Sequence, residues 1–497
     1  MLKRIDYDKL FIIYLIAFSL VLLPLLNVPS IMSDDGTHML LSLFYKDLIV
    51  SILKSRDFSF SKAYDFSLSY LIHYPKLQVF YPPLYHLITG LFFYPILGIS
   101  SFTARFSNFL FGLASITLIY YFSSSITNKK NGFISAIIFS LNPIVLSYIR
   151  LAMKDFLAIS FSLLAILFFF LSFKKKKPRY FLIVGIISAL AVLSDVPAAT
   201  VFATIVITLL LKNDIKRLII FVISSSLLLL PYTFLIMKIG GIEINTLRYG
   251  MYSFFANFSL EEFVLLLPIM VILTVNFIHY YKKKKFFYRE IFIWFLISFI
   301  VANLISIKSR FFLYFLLPLY TVSGYWMSKK RGLFILLLFY SLVVSVYLIQ
   351  TYHFPTYPVK EAVEFVHHSL PEGANVALLT EKDDTLYSSS FMFPLAVQDK
   401  NKTIIFLRPC YFWNKTREEK IDTLKNGGVY FVIAIKDTEE YGNVTQIKDR
   451  LDKVYENGII EVYKFKDYQP TNKVCNFVCT TNQLYCTKYN SPFDVYS

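Results

Sequence analysis

The chain has 497 residues, of which 56% are apolar and 18% aromatic, and only 17% are charged. A soluble globular chain is about 45–50% apolar and about 25% charged, so this composition excludes an ordinary soluble protein. Lys and Arg number 50 against 33 Asp and Glu, which gives a formal net charge of +17. Because the basic residues cluster between apolar runs, the excess indicates cytoplasmic loops of a membrane protein and no nucleic-acid partner.

Apolar runs follow one another as far as residue 350, each close to the ~20 residues that cross a bilayer as a helix. Placing every basic cluster in the cytoplasm predicts about eleven crossings, with the amino terminus inside. No small-residue cleavage pattern follows the first run, so we expect a retained helix rather than a signal peptide. The predicted spans are 10–28, 104–124, 132–149, 156–173, 180–194, 198–211, 218–237, 262–281, 290–306, 311–327 and 332–350.

The first outer loop is predicted over residues 29–103 and carries Asp34 and Asp35 in a Ser-Asp-Asp-Gly turn. Adjacent carboxylates at the end of a membrane helix are costly unless they serve a purpose. The alternative is a solvated turn, because Asp and Gly both favour turns. Residues 83–98 are apolar enough to cross, but a crossing there would place the lysines at 174–177 outside. We therefore expect a helix that lies at the outer face.

Several charged residues near helix ends fall on the predicted outer side. Carboxylates can take a proton from an attacking hydroxyl or hold a metal ion. Arg and Lys can hold a phosphate and stabilise its charge as it leaves. Simpler alternatives are a capping ion pair for Arg150 and Asp155, a turn residue for Asp195, and interfacial anchors for Lys308 and Arg310. The charged residues on this side are Asp34, Asp35, Arg150, Asp155, Asp195, Arg248, Lys308 and Arg310.

Residues 1–350 are predicted to form the membrane domain, and residues 351–497 a small extracytoplasmic α/β domain. A helix is expected over 360–369. Strands are expected to begin at Asn375, Thr403, Val429 and Ile459, where β-branched and aromatic residues concentrate.

Cysteines and glycosylation acceptor patterns also fall in segments predicted to lie outside. Confinement of the thiols to one hydrophilic segment favours disulfides in an oxidising compartment, and a metal site is the alternative. The Asn-x-Ser/Thr patterns are candidate N-glycosylation sites. The cysteines are Cys410, Cys475, Cys479 and Cys486, and the acceptor patterns begin at Asn257, Asn401, Asn414 and Asn443.

Taken together, these motifs resemble the GT-C membrane glycosyltransferases, in the branch of protein O-mannosyltransferases and lipid A aminoarabinose transferases. The motifs that carry the resemblance are the acidic pair after the first helix, Tyr81-Pro82-Pro83-Leu84 opening a juxtamembrane helix, Arg150 through Asp155, and Arg310-Phe311-Phe312 through Pro318. Three positions depart from the family pattern. Asp35 replaces a Glu, Tyr81 replaces a His, and Asp195 stands where relatives often have Lys.

The resemblance implies an enzyme that moves a hexosyl or pentosyl group from a polyprenyl- or dolichyl-phosphate donor. The acceptor would be a protein, glycan or lipid at the outer face of the bilayer. It implies catalytic roles for Asp34, Asp35 and Asp155, with Asp34 as the base of an inverting single displacement. Donor phosphate would meet Arg150, Lys308 and Arg310, and substrate would meet Tyr81 and His86. A requirement for Mg²⁺ or Mn²⁺ is left open.

The alternative function is a transporter or flippase of a lipid-linked or polar solute. A transporter should bury ionisable residues near the middle of the bilayer, whereas here they gather at one face. The acceptor patterns and the cysteine-bearing tail fit an archaeal cell surface or an ER lumen. The architecture shared with bacterial relatives favours the archaeal plasma membrane.

Overall fold

The computed structural model describes the whole chain except the following segments. The segments that it does not describe are residues 1–5, 28–32, 74–80, 176–178, 240–259, 284–286, 305–311, 352–358, 372–373, 380–392, 395–396, 398–415, 427, 437–440, 459, 470–472, 479–482 and 489–497.

Helices dominate the described residues as far as Thr351. Their bounds are Tyr7–Leu22, Ser33–Ser55, Phe60–His73, Leu84–Leu97, Ser101–Ile126, Lys129–Ser140, Pro143–Tyr148, Asp155–Lys175, Tyr180–Ser194, Ala199–Leu211, Ile215–Ile239, Leu260–Lys282, Tyr288–Leu304, Phe312–Val322, Gly324–Met327 and Arg331–Thr351.

Within the described residues, six helices are long and apolar enough to cross a membrane. They are Tyr7–Leu26, Asp35–Ser55, Ser101–Ile126, Asp155–Phe173, Ile215–Phe234 and Val264–Lys282. One of the six, Asp35–Ser55, falls in the predicted outer loop 29–103. The predicted spans that are not among the six are also helical where they are described, but they are shorter or divided. Run 132–149 is divided at Asn142, whose side chain accepts the backbone N–H of Ile144 at 2.9 Å and is followed by Pro143. A new helix therefore starts there, because Pro fits a first helical turn but not a helix interior.

The predicted outer loop is largely helical in its described part. The acidic pair opens helix Ser33–Ser55, so the expected turn at these residues is wrong. The expected helix over 83–98 is confirmed as Leu84–Leu97. One wider turn, Thr89–Phe93, has π-helical hydrogen bonding. The position of this helix relative to a membrane stays a prediction.

Contacts divide the chain into two units. The first comprises 1–26, 80–85 and 105–353, and the second comprises 27–79, 86–104 and 354–497. In the first unit, helix Tyr180–Ser194 packs against helices Asp155–Lys175 and Ile215–Ile239. A Cβ at Gly185 would lie 2.7 Å from the carbonyl oxygen of Phe221, so only glycine permits this close approach between two helices.

The second unit contains a four-stranded sheet made of Asn375–Leu379 (β1), Val429–Ile435 (β2), Leu451–Asn457 (β3) and Ile460–Phe465 (β4). The strand order is β1-β2-β4-β3, with β1 parallel to β2 and the other pairs antiparallel. A parallel pair needs a crossover, and helix Arg417–Asn426 lies between β1 and β2 in the chain.

Most elements predicted for the carboxy-terminal segment are present. The expected helix over 360–369 is Val359–Ser369, and three of the expected strands are β1, β2 and β4. The expected strand at Thr403 lies outside the described residues. Helix Arg417–Asn426, strand β3 and a second sheet of Lys473–Val478 (β5) and Gln483–Lys488 (β6) were not predicted. This hairpin packs against helix Phe60–His73 within the second unit.

Candidate functional site

In the second unit, the site begins at the acidic start of helix Ser33–Ser55. Asp35 lies in the first turn and is fully buried, so the solvated-turn alternative is wrong for this residue. The backbone N–H groups that lack partners at a helix start favour a carboxylate there. The side chain of Asp34 lies outside the described residues, and its role as the base stays a prediction.

Two buried histidines meet beside this helix start. His38 Nδ1 lies 2.9 Å from His86 Nε2, and the side chains are 1% and 0% exposed. The ring of Tyr45 stacks against His86, with ring centroids 6.1 Å apart. Each histidine alone is unremarkable in the sequence, and the resemblance pointed only to His86. Their pairing depends on two helices meeting, which no local pattern reveals.

Helix Leu84–Leu97 is held tightly against helix Ser33–Ser55. A Cβ at Gly90 would lie 2.2 Å from the carbonyl oxygen of Ser42, so the two backbones approach where no side chain fits. The Tyr94 hydroxyl donates to the carbonyl of Met39 at 3.1 Å. These contacts leave little freedom in the spacing of the histidine rings.

In the first unit, a second cluster forms where helix Asp155–Lys175 begins and helix Tyr180–Ser194 ends. Lys154 Nζ lies 2.8 Å from Asp195 Oδ1, and its ammonium faces the ring of Tyr81 at 4.4 Å from the centroid. The hydroxyl of Tyr314 lies 3.0 Å from Asp195 Oδ2 and 3.3 Å from the carbonyl oxygen of Asp155. Two tyrosines and one ion pair therefore connect four segments of the chain.

This second cluster contains or adjoins several residues that were predicted from the sequence to belong to the site. Arg150 and Asp155 are buried, at 6% and 0% exposure, and Asp155 starts its helix. The turn-residue alternative does not fully describe Asp195. Its side chain is also the buried partner of Lys154. Sequence reasoning overlooked Lys154. The signal was its place next to Asp155 in a segment already selected for its charges.

Other predicted site residues cannot be placed fully. Lys308 and Arg310 lie outside the described residues, as do Cys410, Cys479, Asn257, Asn401 and Asn414. Asn443 falls in helix Tyr441–Gln446. In the part of the chain that the structure describes, no group of three or more His, Cys, Asp or Glu residues could hold a metal ion. The metal requirement therefore stays open.

Comparison with known proteins supports the predicted class. Residues 81–237 match the family model described as dolichyl-phosphate-mannose-protein mannosyltransferase. No curated protein matches this chain by sequence.

Several solved structures share its fold. ArnT from Cupriavidus metallidurans bound to undecaprenyl phosphate has a TM-score of 0.62 at 11% identity, over 91% of this chain and 97% of ArnT. The oligosaccharyltransferase AglB from Archaeoglobus fulgidus, in complex with an inhibitory peptide and a dolichol-phosphate, has a TM-score of 0.56 at 12% identity. That match spans 93% of this chain and 74% of AglB. The arabinofuranosyltransferase AftD from Mycobacteria has a TM-score of 0.56 at 13% identity, over 91% of this chain and 40% of AftD.

The chain is thus a multi-pass membrane protein with the GT-C fold, and its carboxy-terminal segment contains a small four-stranded sheet. The resemblance found in the sequence is confirmed, because the matching model and the structural neighbours are of this kind.

Proposed function

We propose that this protein is a glycosyltransferase that takes a sugar from a polyprenyl- or dolichyl-phosphate donor at the outer membrane face. The observation that carries the proposal is the burial of Arg150, Lys154 and Asp155 within one short segment of the region that matches the mannosyltransferase model. Buried charges in a membrane protein are expensive and are usually functional.

The acidic helix start supplies the proton acceptor. Asp34 takes the proton of the acceptor hydroxyl while that oxygen attacks the anomeric carbon, and Asp35 lies next to it at the buried start of the helix. The anomeric carbon–phosphate oxygen bond breaks, and its electron pair stays on the phosphate. The phosphate leaves as an anion, so no protein acid is needed. Because the acceptor oxygen displaces the phosphate directly, this single displacement inverts the anomeric carbon.

The donor phosphate is held by cations. Arg150 is buried and precedes Lys154, the partner of Asp195, by four residues in the sequence. Lys154 pairs with Asp195, and Arg150 is a phosphate ligand in this proposal because a guanidinium group can hold a phosphate through two parallel hydrogen bonds. Lys308 and Arg310 complete the phosphate site in this proposal, just ahead of helix Phe312–Val322. ArnT bound to undecaprenyl phosphate and AglB in complex with a dolichol-phosphate support a donor of this class.

The experiment uses membranes from cells that express the full chain, supplied with radiolabelled dolichyl- or polyprenyl-phosphate sugars. We expect label to enter protein, glycan or lipid, and we expect Asp34→Asn and Arg150→Gln to lower the rate at least about 100-fold. Asp57→Asn is the matched control, because Asp57 is exposed and its carboxylate accepts hydrogen bonds from the nearby Ser59. Label that crosses the bilayer without transfer, unaffected by Asp34→Asn, would instead indicate a flippase.

A further inference from the structure

Five lysines gather where three helices of the first unit begin or end. Helix Leu260–Lys282 ends there, and helices Lys129–Ser140 and Arg331–Thr351 begin there. The distribution of basic residues among the loops predicts that this side of the protein is cytoplasmic. We call these lysines the basic patch. They are Lys130, Lys282, Lys283, Lys329 and Lys330.

The short helix Gly324–Met327 brings the three helix ends together. Lys130 Nζ donates to the carbonyl oxygen of Ser328 at 3.3 Å. A Cβ at Gly324 would lie 2.0 Å from the carbonyl oxygen of Asn131, so the short helix meets the start of helix Lys129–Ser140 backbone to backbone. Helix Leu260–Lys282 packs against the same short helix. Lysines from separate loops therefore lie around one point of the fold.

Three half-buried rings lie beneath the basic patch. The ring centroid of His279 is 6.2 Å from that of Tyr325 and 6.4 Å from that of Trp326. Lys329 Nζ lies 5.4 Å from the centroid of Tyr325, and Lys330 Nζ lies 6.0 Å from that of Trp326. Tyrosine and tryptophan are enriched at the level of lipid headgroups, where an apolar ring meets a polar surface. The rings and the lysines above them thus have the chemistry of a headgroup contact.

The basic patch is an uncompensated positive charge. Lys282, Lys283 and Lys329 are exposed, and all three are close enough to His279 to interact with it electrostatically. Among the residues that the structure describes, no aspartate or glutamate forms an ion pair with any lysine of the patch. Like charges held together in this way repel one another, so the patch favours anions that come from outside the protein.

Other cations on the same predicted side have carboxylate partners within the protein. The positive-inside bias depends on Lys and Arg, and Asp and Glu contribute little to it. Paired and unpaired lysines would therefore orient the chain equally well, and orientation alone does not explain why the patch lacks carboxylates. The pairs are Lys129 with Asp8, Lys212 with Glu290, and Arg217 with Asp214.

A bilayer supplies anions at the depth of these helix ends, in the phosphate groups of its anionic lipids. Clusters of about four to eight Lys and Arg immediately cytoplasmic of membrane helices attract such lipids. We infer that the basic patch binds the headgroups of anionic phospholipids, with the lysines on the phosphates and with Tyr325 and Trp326 beside the upper part of the acyl chains. Donor and acceptor are proposed to bind at the outer face, so this inference does not depend on the transferase function.

Trp326 reports which lipid lies beside the patch. The full chain is reconstituted into phosphatidylcholine bilayers with a small fraction of either phosphatidylglycerol or phosphatidylcholine that is brominated near the headgroup. Bromine quenches tryptophan fluorescence at short range, and the quenching that Trp326→Phe removes belongs to this residue. We expect brominated phosphatidylglycerol to quench Trp326 several-fold more strongly than brominated phosphatidylcholine at the same fraction, because the patch concentrates the anionic lipid.

Replacing the lysines should remove this preference. Each lysine near an anionic surface contributes about fivefold in affinity, so Lys282→Gln, Lys329→Gln and Lys330→Gln combined should bring the quenching ratio of the two lipids close to one. Arginine at the same three positions keeps the charge and should keep the preference. Arg217→Gln is the matched control, because it removes a cation from the same predicted side that already has Asp214 as its partner.

Several outcomes would overturn the inference. One is equal quenching of Trp326 by the two lipids in the unsubstituted protein. Another is a preference that survives the combined glutamine variant or disappears in the arginine variant. Loss of the preference when soluble glycerol phosphate is added in excess would show that the patch takes a soluble phosphate rather than a lipid. If the radiolabel experiment finds no sugar transfer, the transferase proposal fails and the lipid site is unaffected.

Discussion

Lys154 Nζ lies 2.8 Å from Asp195 Oδ1, and the two side chains are 7% and 2% exposed. The pair joins the start of one helix to the end of the next, because Lys154 precedes helix Asp155–Lys175 and Asp195 follows helix Tyr180–Ser194. Tyr314 hydrogen-bonds the second oxygen of Asp195. The carboxylate therefore has partners on both oxygens.

We predict that substituting one residue of the Lys154–Asp195 pair destabilises the protein more than substituting both. Lys154→Met alone or Asp195→Leu alone leaves one buried charge without its partner, which destabilises by about 3–5 kcal/mol. The double variant removes both charges of the pair, so its cost should be smaller than that of either single variant. Thermal unfolding of the purified protein in detergent measures this order. A double variant whose loss of stability equals the sum of the two single-variant losses would contradict this order.

The contact at Gly90 leads to a second prediction. The Cβ of Gly90→Ala would meet the Ser42 carbonyl oxygen at 2.2 Å, so helices Ser33–Ser55 and Leu84–Leu97 must separate. We expect a loss of at least about 1–3 kcal/mol and a fall in transfer rate, because helix Ser33–Ser55 carries Asp34 and Asp35. Unfolding in detergent and the radiolabel assay measure the two effects.

Gly332→Ala is the matched control for this substitution. No atom lies within 4 Å of a Cβ built at Gly332, which is in helix Arg331–Thr351. The added methyl group should leave stability unchanged or slightly higher, because glycine is unfavourable in a helix. Equal effects at both positions would show that the close approach at Gly90 is unimportant.

The membrane helices were predictable because each has a strong local signal. Apolar length and basic flanks located helices such as Asp155–Lys175 and Tyr180–Ser194 within a few residues. The break at Asn142 was missed, because the run on both sides of it is apolar enough to be read as one span. Helices Ser33–Ser55 and Phe60–His73 of the predicted outer loop were missed, because polar and charged residues interrupt their apolar positions.

The site was predictable only in part. Asp35, Arg150 and Asp155 stood out because charges are rare near membrane helix ends. The partners Lys154–Asp195 and His38–His86 did not, because each contact joins residues 41 or more positions apart. Such pairing depends on how helices pack. The sequence alone does not show whether two charged residues form a buried ion pair or lie separately in solvated turns.

The hairpin of β5 and β6 predicts one disulfide. Cys475 and Cys486 are directly opposite in its antiparallel register. Directly opposite residues in such a pair have Cα atoms about 4.5–5.5 Å apart, which suits a disulfide. In protein exported to an oxidising compartment, we expect a Cys475–Cys486 bond. Peptide mapping without reduction should recover the two peptides linked, and Cys410→Ser should leave that link unchanged. Recovery of Cys475 linked to Cys479 or Cys410 would contradict the register.

The sheet of the carboxy-terminal domain predicts a loss of stability in acid. Glu461 on β4 is buried and accepts hydrogen bonds from the hydroxyls of Tyr441 and Tyr463, with Lys453 and Lys436 at 3.4 and 3.6 Å. Burial alone would raise the pKa of Glu461. The two tyrosine hydroxyls and the two lysines together outweigh burial and lower this pKa.

Because the pKa of Glu461 is lower in the folded state, its contribution to stability is complete above the unfolded value of about 4.3 and is lost as pH falls through the folded value. We expect Glu461→Gln to weaken the domain at pH 7 by about 1–2 kcal/mol and to reduce its further loss of stability between pH 5 and pH 3. Hydrogen exchange of β2 and β4 in the intact protein, corrected for the intrinsic rate at each pH, measures both effects. Glu418→Gln is the control, since Glu418 is exposed at the start of helix Arg417–Asn426. An unaltered acid response in Glu461→Gln would assign the acid sensitivity to other carboxylates.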